Sequence, residues 1–73
     1  VSAGFDVLAG DPLGGLELEP ADLHAMTVHL IERTRATAEG RVVAVLEGGY
    51  APERVGAGTV DVIRALAGLA AKD

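Results

Sequence analysis

Gly40-Arg41-Val42-Val43-Ala44-Val45-Leu46-Glu47-Gly48-Gly49-Tyr50 is the stretch that decides the fold. Val42–Leu46 is an unbroken apolar run, rich in β-branched residues and without polar alternation, as expected of a strand covered on both faces in a parallel sheet. The character then changes abruptly: Glu47, two residues without Cβ, the chain's single tyrosine and, two residues on, Pro52. A flexible loop carrying one phenol is therefore expected at the carboxyl end of a strand, with a helix starting near Pro52.

Upstream, Val1–Phe5 reads as a short buried strand that ends where Asp6 begins a polar turn. Asp11–Glu19 holds an Asp-Pro, a Gly-Gly and a Leu-Glu-Leu-Glu alternation, which predicts an irregular loop with a brief extended segment. Pro20 suits the first turn of a helix, and Asp22 places a carboxylate near the positive end of its dipole. Leu23, Met26, Leu30, Thr34 and Ala38 then recur at spacings of three and four and form one apolar stripe, which makes Met26 a core residue. Gly40 supplies a left-handed stop. After Tyr50, a second stripe of Val55, Thr59, Val62, Ile63, Leu66 and Leu69 carries a helix to about Ala71, with Gly56 and Gly58 weakening its first turns. Strand, helix, strand, helix with these connection lengths is an α/β chain, a βαβα unit whose right-handed crossover makes the strands parallel. Sites in such sheets form at the carboxyl ends of strands, and both Asp11 and Tyr50 lie just beyond one.

With 73 residues the chain makes at most one small domain, and 49% hydrophobic residues with one Phe, one Tyr and no Trp give an aliphatic core. That core is thin for an independent unit. Opening on Val1, directly in an apolar run, suggests a piece of a longer protein. Eleven acidic residues against six basic ones give a formal charge of -5, a field that repels phosphate backbones, so nucleic acid is not expected as a direct partner. There is no cysteine, so any metal would be held by carboxylate and imidazole. No apolar run approaches the roughly 20 residues of a membrane span, and a soluble cytoplasmic protein is expected.

Few residues invite chemistry. Asp11, in Gly10-Asp11-Pro12-Leu13-Gly14-Gly15, is either a metal ligand on a stiffened loop or an Asp-Pro turn initiator. Tyr50 either donates its hydroxyl to a developing oxyanion or packs over the sheet edge, though a pure packing role would not need two adjacent residues without Cβ, and the residues alone leave both readings open. Gly48-Gly49 lacks the spacing of a dinucleotide or phosphate loop. His24 and His29 are separated by about 140 degrees around a helix and cannot share a metal. Asp6 reads as a strand-end cap close enough to support the Asp11 loop.

Taken together, Val1-Ser2-Ala3-Gly4-Phe5-Asp6, Gly10-Asp11-Pro12-Leu13-Gly14-Gly15, Met26-Thr27, Gly40-Arg41-Val42-Val43 and Leu46-Glu47-Gly48-Gly49-Tyr50 closely resemble the C-terminal part of the zinc-dependent histone deacetylase superfamily. That superfamily includes acetylpolyamine amidohydrolases and acetoin-utilisation proteins, and class II-like members look nearest. The resemblance implies that residues 1–73 are the C-terminal portion of a single catalytic domain with a parallel-sheet, three-layer, deacetylase/arginase-like fold. It implies that Asp11 is the last zinc ligand, that Tyr50 hydrogen-bonds the scissile carbonyl, that Gly48 and Gly49 line the acyl-lysine tunnel and that Leu18 stands at its rim. The implied cofactor is Zn2+, with further ligands and a catalytic histidine pair upstream, and the implied reaction is hydrolysis of an N-acetyl amide, either acetyl-lysine or an acetylpolyamine. Its partners would be that substrate and the missing N-terminal part of the domain. By itself the chain should be inactive, since zinc wants about three protein ligands. Relatives often continue Ala-His where this chain has Val7-Leu8, and carry Asn or Asp at the place of Ala51. The alternative, from another class, is a non-catalytic binding module that keeps the fold without the chemistry.

Overall fold

Apolar runs on either side of a 19-residue helix can pair in parallel once the helix crosses back over the sheet, and the chain does this. The computed structural model describes residues 1–72 and orders them as β1 (Ser2–Ala3), α1 (Pro20–Ala38), β2 (Val45–Leu46) and α2 (Pro52–Leu66). Ser2 lies opposite Val45 and Ala3 opposite Leu46. The regular strands are shorter than the five-residue runs expected, but hydrogen bonds extend the ladder along most of both. The Val1 ammonium donates to the Val43 carbonyl at 2.8 Å, Glu47 N–H donates to Ala3 at 2.9 Å, and Phe5 N–H donates to Gly48 at 2.7 Å. That last acceptor is one residue further along than a regular parallel ladder would use, so the pairing slips where the chain leaves the sheet.

Between β1 and α1 the chain makes two turns that share Leu8: Leu8 N–H donates to Phe5 at 3.3 Å, and Asp11 N–H to Leu8 at 3.2 Å. Gly10, at φ 90°, takes the left-handed place in the second turn. The expected extended segment is a single parallel bridge between Leu8 and Leu18, closed by Leu18 N–H to Val7 at 3.1 Å and Ala9 N–H to Leu18 at 2.8 Å. Leu8, which has no exposed surface, forms the core with Phe5 and Leu23.

Helix α1 starts at Pro20 as predicted, with the Asp22 carboxylate accepting the Glu19 N–H at 2.8 Å. Its left-handed stop comes one residue earlier than expected, since Glu39 (φ 56°) already adopts that conformation before Gly40. Helix α2 ends at Leu66 rather than Ala71. Gly68, at φ 77°, closes a Schellman motif: its N–H donates to Ala65 at 3.1 Å, and Leu69 N–H donates to Arg64 at 2.7 Å. Beyond it the chain folds back, with His24 Nε2 2.7 Å from the Leu69 carbonyl and Lys72 N–H donating to the buried Asp61 carboxylate at 2.9 Å.

The two helices pack on each other and, with Val42 and Ala44, wall an apolar groove of about 700 Å³ on one side of the sheet. Only that side of the sheet is covered within this chain. Val43 is 77% exposed on the other, so the expectation of a strand buried on both faces is not met here. Met26, expected in the core, lines the open groove and is 58% exposed. Helix α2 buries Gly58, Asp61 and Ala65, with Val55 and Val62 of its predicted stripe half-buried against the core, while Ile63, Leu66 and Leu69 of that stripe stand exposed. No helix among the described residues is long and apolar enough to cross a membrane.

Candidate active site

Asp11 closes the second of the two turns after β1, and Tyr50 follows the two glycines after β2. The crossover brings these connections to the same end of the sheet, and they are joined there. Asp11 Oδ1 accepts the N–H of Leu13 at 2.8 Å and of Gly14 at 2.9 Å, the local Asx geometry of an Asp-Pro turn. Its Oδ2 accepts the Tyr50 N–H at 2.8 Å across a separation of 39 residues. The turn expected of this aspartate and its meeting with the tyrosine therefore occur together, one oxygen for each.

The side chain of Asp11 is buried, with only 8% of the residue exposed. Burial alone would raise its pKa. The three N–H donors, led by Tyr50 and followed by Leu13 and Gly14, more than offset this and hold the carboxyl below the ordinary aspartate value. The group is an anion at neutral pH, with lone pairs beyond those the amides take. By contrast the Tyr50 ring is anchored through its backbone and stands 53% exposed.

Gly49 has conformational and packing reasons for being glycine: at φ 139° a Cβ would come within 2.7 Å of Val55 and 3.1 Å of Phe5. At Gly48 a Cβ would make only ordinary contact with the Asp6 carboxylate, 3.4 Å from its carbon. Packing thus accounts for Gly49, which loses its weight as evidence about the phenol. Leu18 stands apart from the other four: it packs against the Phe5–Leu8–Leu23 cluster and lines the apolar groove, whose walls do not include Asp11, Gly48, Gly49 or Tyr50.

Two residues near the site were not among the sequence candidates or were only marginal there. Arg54, in the first turn of α2, donates from Nε to the Ala9 carbonyl at 2.9 Å and pairs with Glu19, clamping the Asp11 loop from below. A lone arginine after a helix-starting proline carries no pattern that would mark it. Asp6 lies between the two loops, its carbonyl against Gly14 and its carboxylate against Gly48. The histidines are elsewhere, His24 on the C-terminal segment and His29 on the groove, as their helical separation requires.

Among the described residues no three His, Cys, Asp or Glu side chains gather as a metal would need. The chain's contribution to such a centre is one ionised, preorganised carboxylate, which suits a ligand in kind but not in number.

Residues 1–66 match the family model of the histone deacetylase domain. The chain belongs to the histone deacetylase family. It is 50% identical over 50 residues to histone deacetylase 6 of Caenorhabditis elegans, covering 68% of this chain and 5% of that protein. It is 40% identical over 68 residues to the human polyamine deacetylase HDAC10, covering 93% of this chain and 10% of that one. Its identity to the histone deacetylase-like amidohydrolase of Pseudomonas aeruginosa is 38% over 69 residues, or 94% of this chain and 18% of the relative. The chain thus spans less than a fifth of the length of any of these three deacetylase relatives. The family match covers β1, both turns, α1, β2 and α2 in order, so Asp11 and Tyr50 both lie inside the deacetylase segment.

Proposed function

We propose that these residues are the C-terminal part of a zinc-dependent deacetylase domain that hydrolyses N-acetyl amides, with Asp11 as one metal ligand and Tyr50 as the hydroxyl donor. The observation that carries this is the 2.8 Å hydrogen bond from Tyr50 N–H to Asp11 Oδ2, which ties a carboxylate that is ionised at neutral pH to the residue bearing the phenol. Zinc, when bound, supplies Lewis acidity and an activated water. Asp11 offers it a charged oxygen without a protonation change, because three amides already hold the carboxyl ionised. The phenol, exposed on a residue whose backbone is tied to that carboxylate, is free to donate to charge developing on a substrate carbonyl. Gly48 and Gly49 are assigned to the wall of the acyl tunnel and Leu18 to its rim. The remaining ligands, the acid and base groups and the third layer of the fold belong to the rest of the domain. The substrate is an acetyl-lysine or an acetylated polyamine, in keeping with relatives named for both chemistries.

The test uses the complete domain carrying these residues. Tyr50→Phe should lower kcat by roughly 10²–10³ with KM nearly unchanged and zinc content intact, the cost of removing one oxyanion donor. Equal activity of wild type and variant would overturn the assignment. The 73 residues alone should show no zinc-dependent deacetylation. Measurable turnover by the isolated chain would refute the view that it lacks the remaining ligands.

A further inference from the structure

The Asp11 loop and the Tyr50 turn are joined by one hydrogen bond, yet something must hold them at the distance where that bond forms. Asp6 touches both. Its backbone is fixed in the Phe5–Leu8 turn, and its carbonyl lies so close to Gly14 that a Cβ there would fall 1.8 Å from the oxygen. Gly14 is the residue whose N–H donates to Asp11 Oδ1. On its other side the Asp6 carboxylate faces Gly48 and Gly4: a Cβ added at Gly48 would lie 3.4 Å from Cγ, and one added at Gly4 3.3 Å from Oδ1. The carboxylate therefore stands directly beside the backbone that leads into Tyr50.

We propose that Asp6 is a positioning residue that sets the spacing between Asp11 and Tyr50, its main chain bearing on one loop and its carboxylate on the other. This rests on the view of Asp11 and Tyr50 as one site. It predicts a one-sided effect. Asp6→Ala keeps the backbone contact with Gly14 and removes the support under Gly48, whereas Asp6→Asn fills the same space without the charge.

Amide hydrogen exchange of the complete domain carrying these residues, followed by NMR, reads this directly, because the Leu13, Gly14 and Tyr50 amides all donate to the Asp11 carboxylate. In Asp6→Ala the Tyr50 amide should exchange at least about fivefold faster, while Leu13 and Gly14 stay within about twofold of wild type. Asp6→Asn should restore Tyr50 protection. An unchanged Tyr50 rate in Asp6→Ala, or a parallel loss at all three amides, would overturn the inference. If Asp6→Ala unfolds the domain, Asp6→Ser takes its place under the same criteria, and unfolding of both would assign Asp6 a purely structural role and likewise overturn it. A Tyr50 amide unprotected in the unaltered domain would instead undercut the joint site itself, which separates the two failures.

Discussion

At the scale of single residues, Asp11 is the side chain on which most converges. Its three amide donors lower its pKa in the folded chain, and this fixes the sign of a pH effect. Its contribution to stability is complete above the unfolded aspartate value of about 4 and is lost as pH falls through the lower folded value. The stability gap between wild type and Asp11→Asn, measured by urea unfolding of the metal-free chain, should therefore narrow as pH falls below the ordinary aspartate value of about 4. A gap that stays constant or widens on acidification would show that the amides do not favour the charged form. Asp11 and Tyr50 were each readable from the sequence as lone polar groups just past a strand. Their mutual hydrogen bond was not, nor were the contacts of Asp6 and Arg54. These depend on how closely two backbones approach after a crossover, and no periodicity or spacing encodes that distance.

At the scale of elements, the signals that proved sufficient were those with a local steric cause. Pro20 and Pro52 open helices where a missing N–H is harmless. Helix α2 stops before Gly68 rather than running to Ala71, because the apolar stripe that continues to Leu69 does not register a stop. Strand lengths were less readable, since β-branched runs extend past the point where a partner remains to pair with. The stripe of α2 was only half right for a related reason: Val55 and Val62 pack against the core, but Ile63, Leu66 and Leu69 stand exposed because large apolar residues are buried only where a second layer covers them, and Gly58 and Ala65 are buried beside them. Gly56 and Gly58 separate these ideas. A Cβ at Gly56 meets nothing within 4 Å, whereas at Gly58 it would lie 2.9 Å from Leu23 and 3.1 Å from Leu8. Gly56→Ala should stabilise the chain by about 0.5–1 kcal/mol through helix propensity. Gly58→Ala gains the same propensity but overpacks the core at about 1–3 kcal/mol, so it should be no more stable than wild type. Thermal melts followed by circular dichroism would rank them, and a Gly58→Ala variant as stable as Gly56→Ala would mean that α1 and α2 are packed more loosely than described.

At the scale of the whole molecule, burial is one-sided. The helices cover one face of a two-stranded ribbon, while Val43, Val45 and Leu46 stand exposed, and the groove beside Met26 stays open. Exposed apolar surface next to unpaired strand edges favours association. Sedimentation of the isolated chain should show concentration-dependent self-association. Added salt should strengthen it, because the net charge of -5 opposes close approach of two copies. A Val43→Lys, Val45→Lys double variant should shift it toward monomer, and identical behaviour of the two proteins would place the contact elsewhere.

The three amides on Asp11 have a practical consequence for anyone probing the metal chemistry by mutagenesis. Substituting this aspartate would remove the proposed ligand and untie two loops in one stroke, so a dead variant would be uninformative about which loss mattered. Stripping the ion from the unaltered domain by chelation, with the amide network left standing, is the cleaner comparison. Restoring activity by adding the ion back would then report on coordination alone.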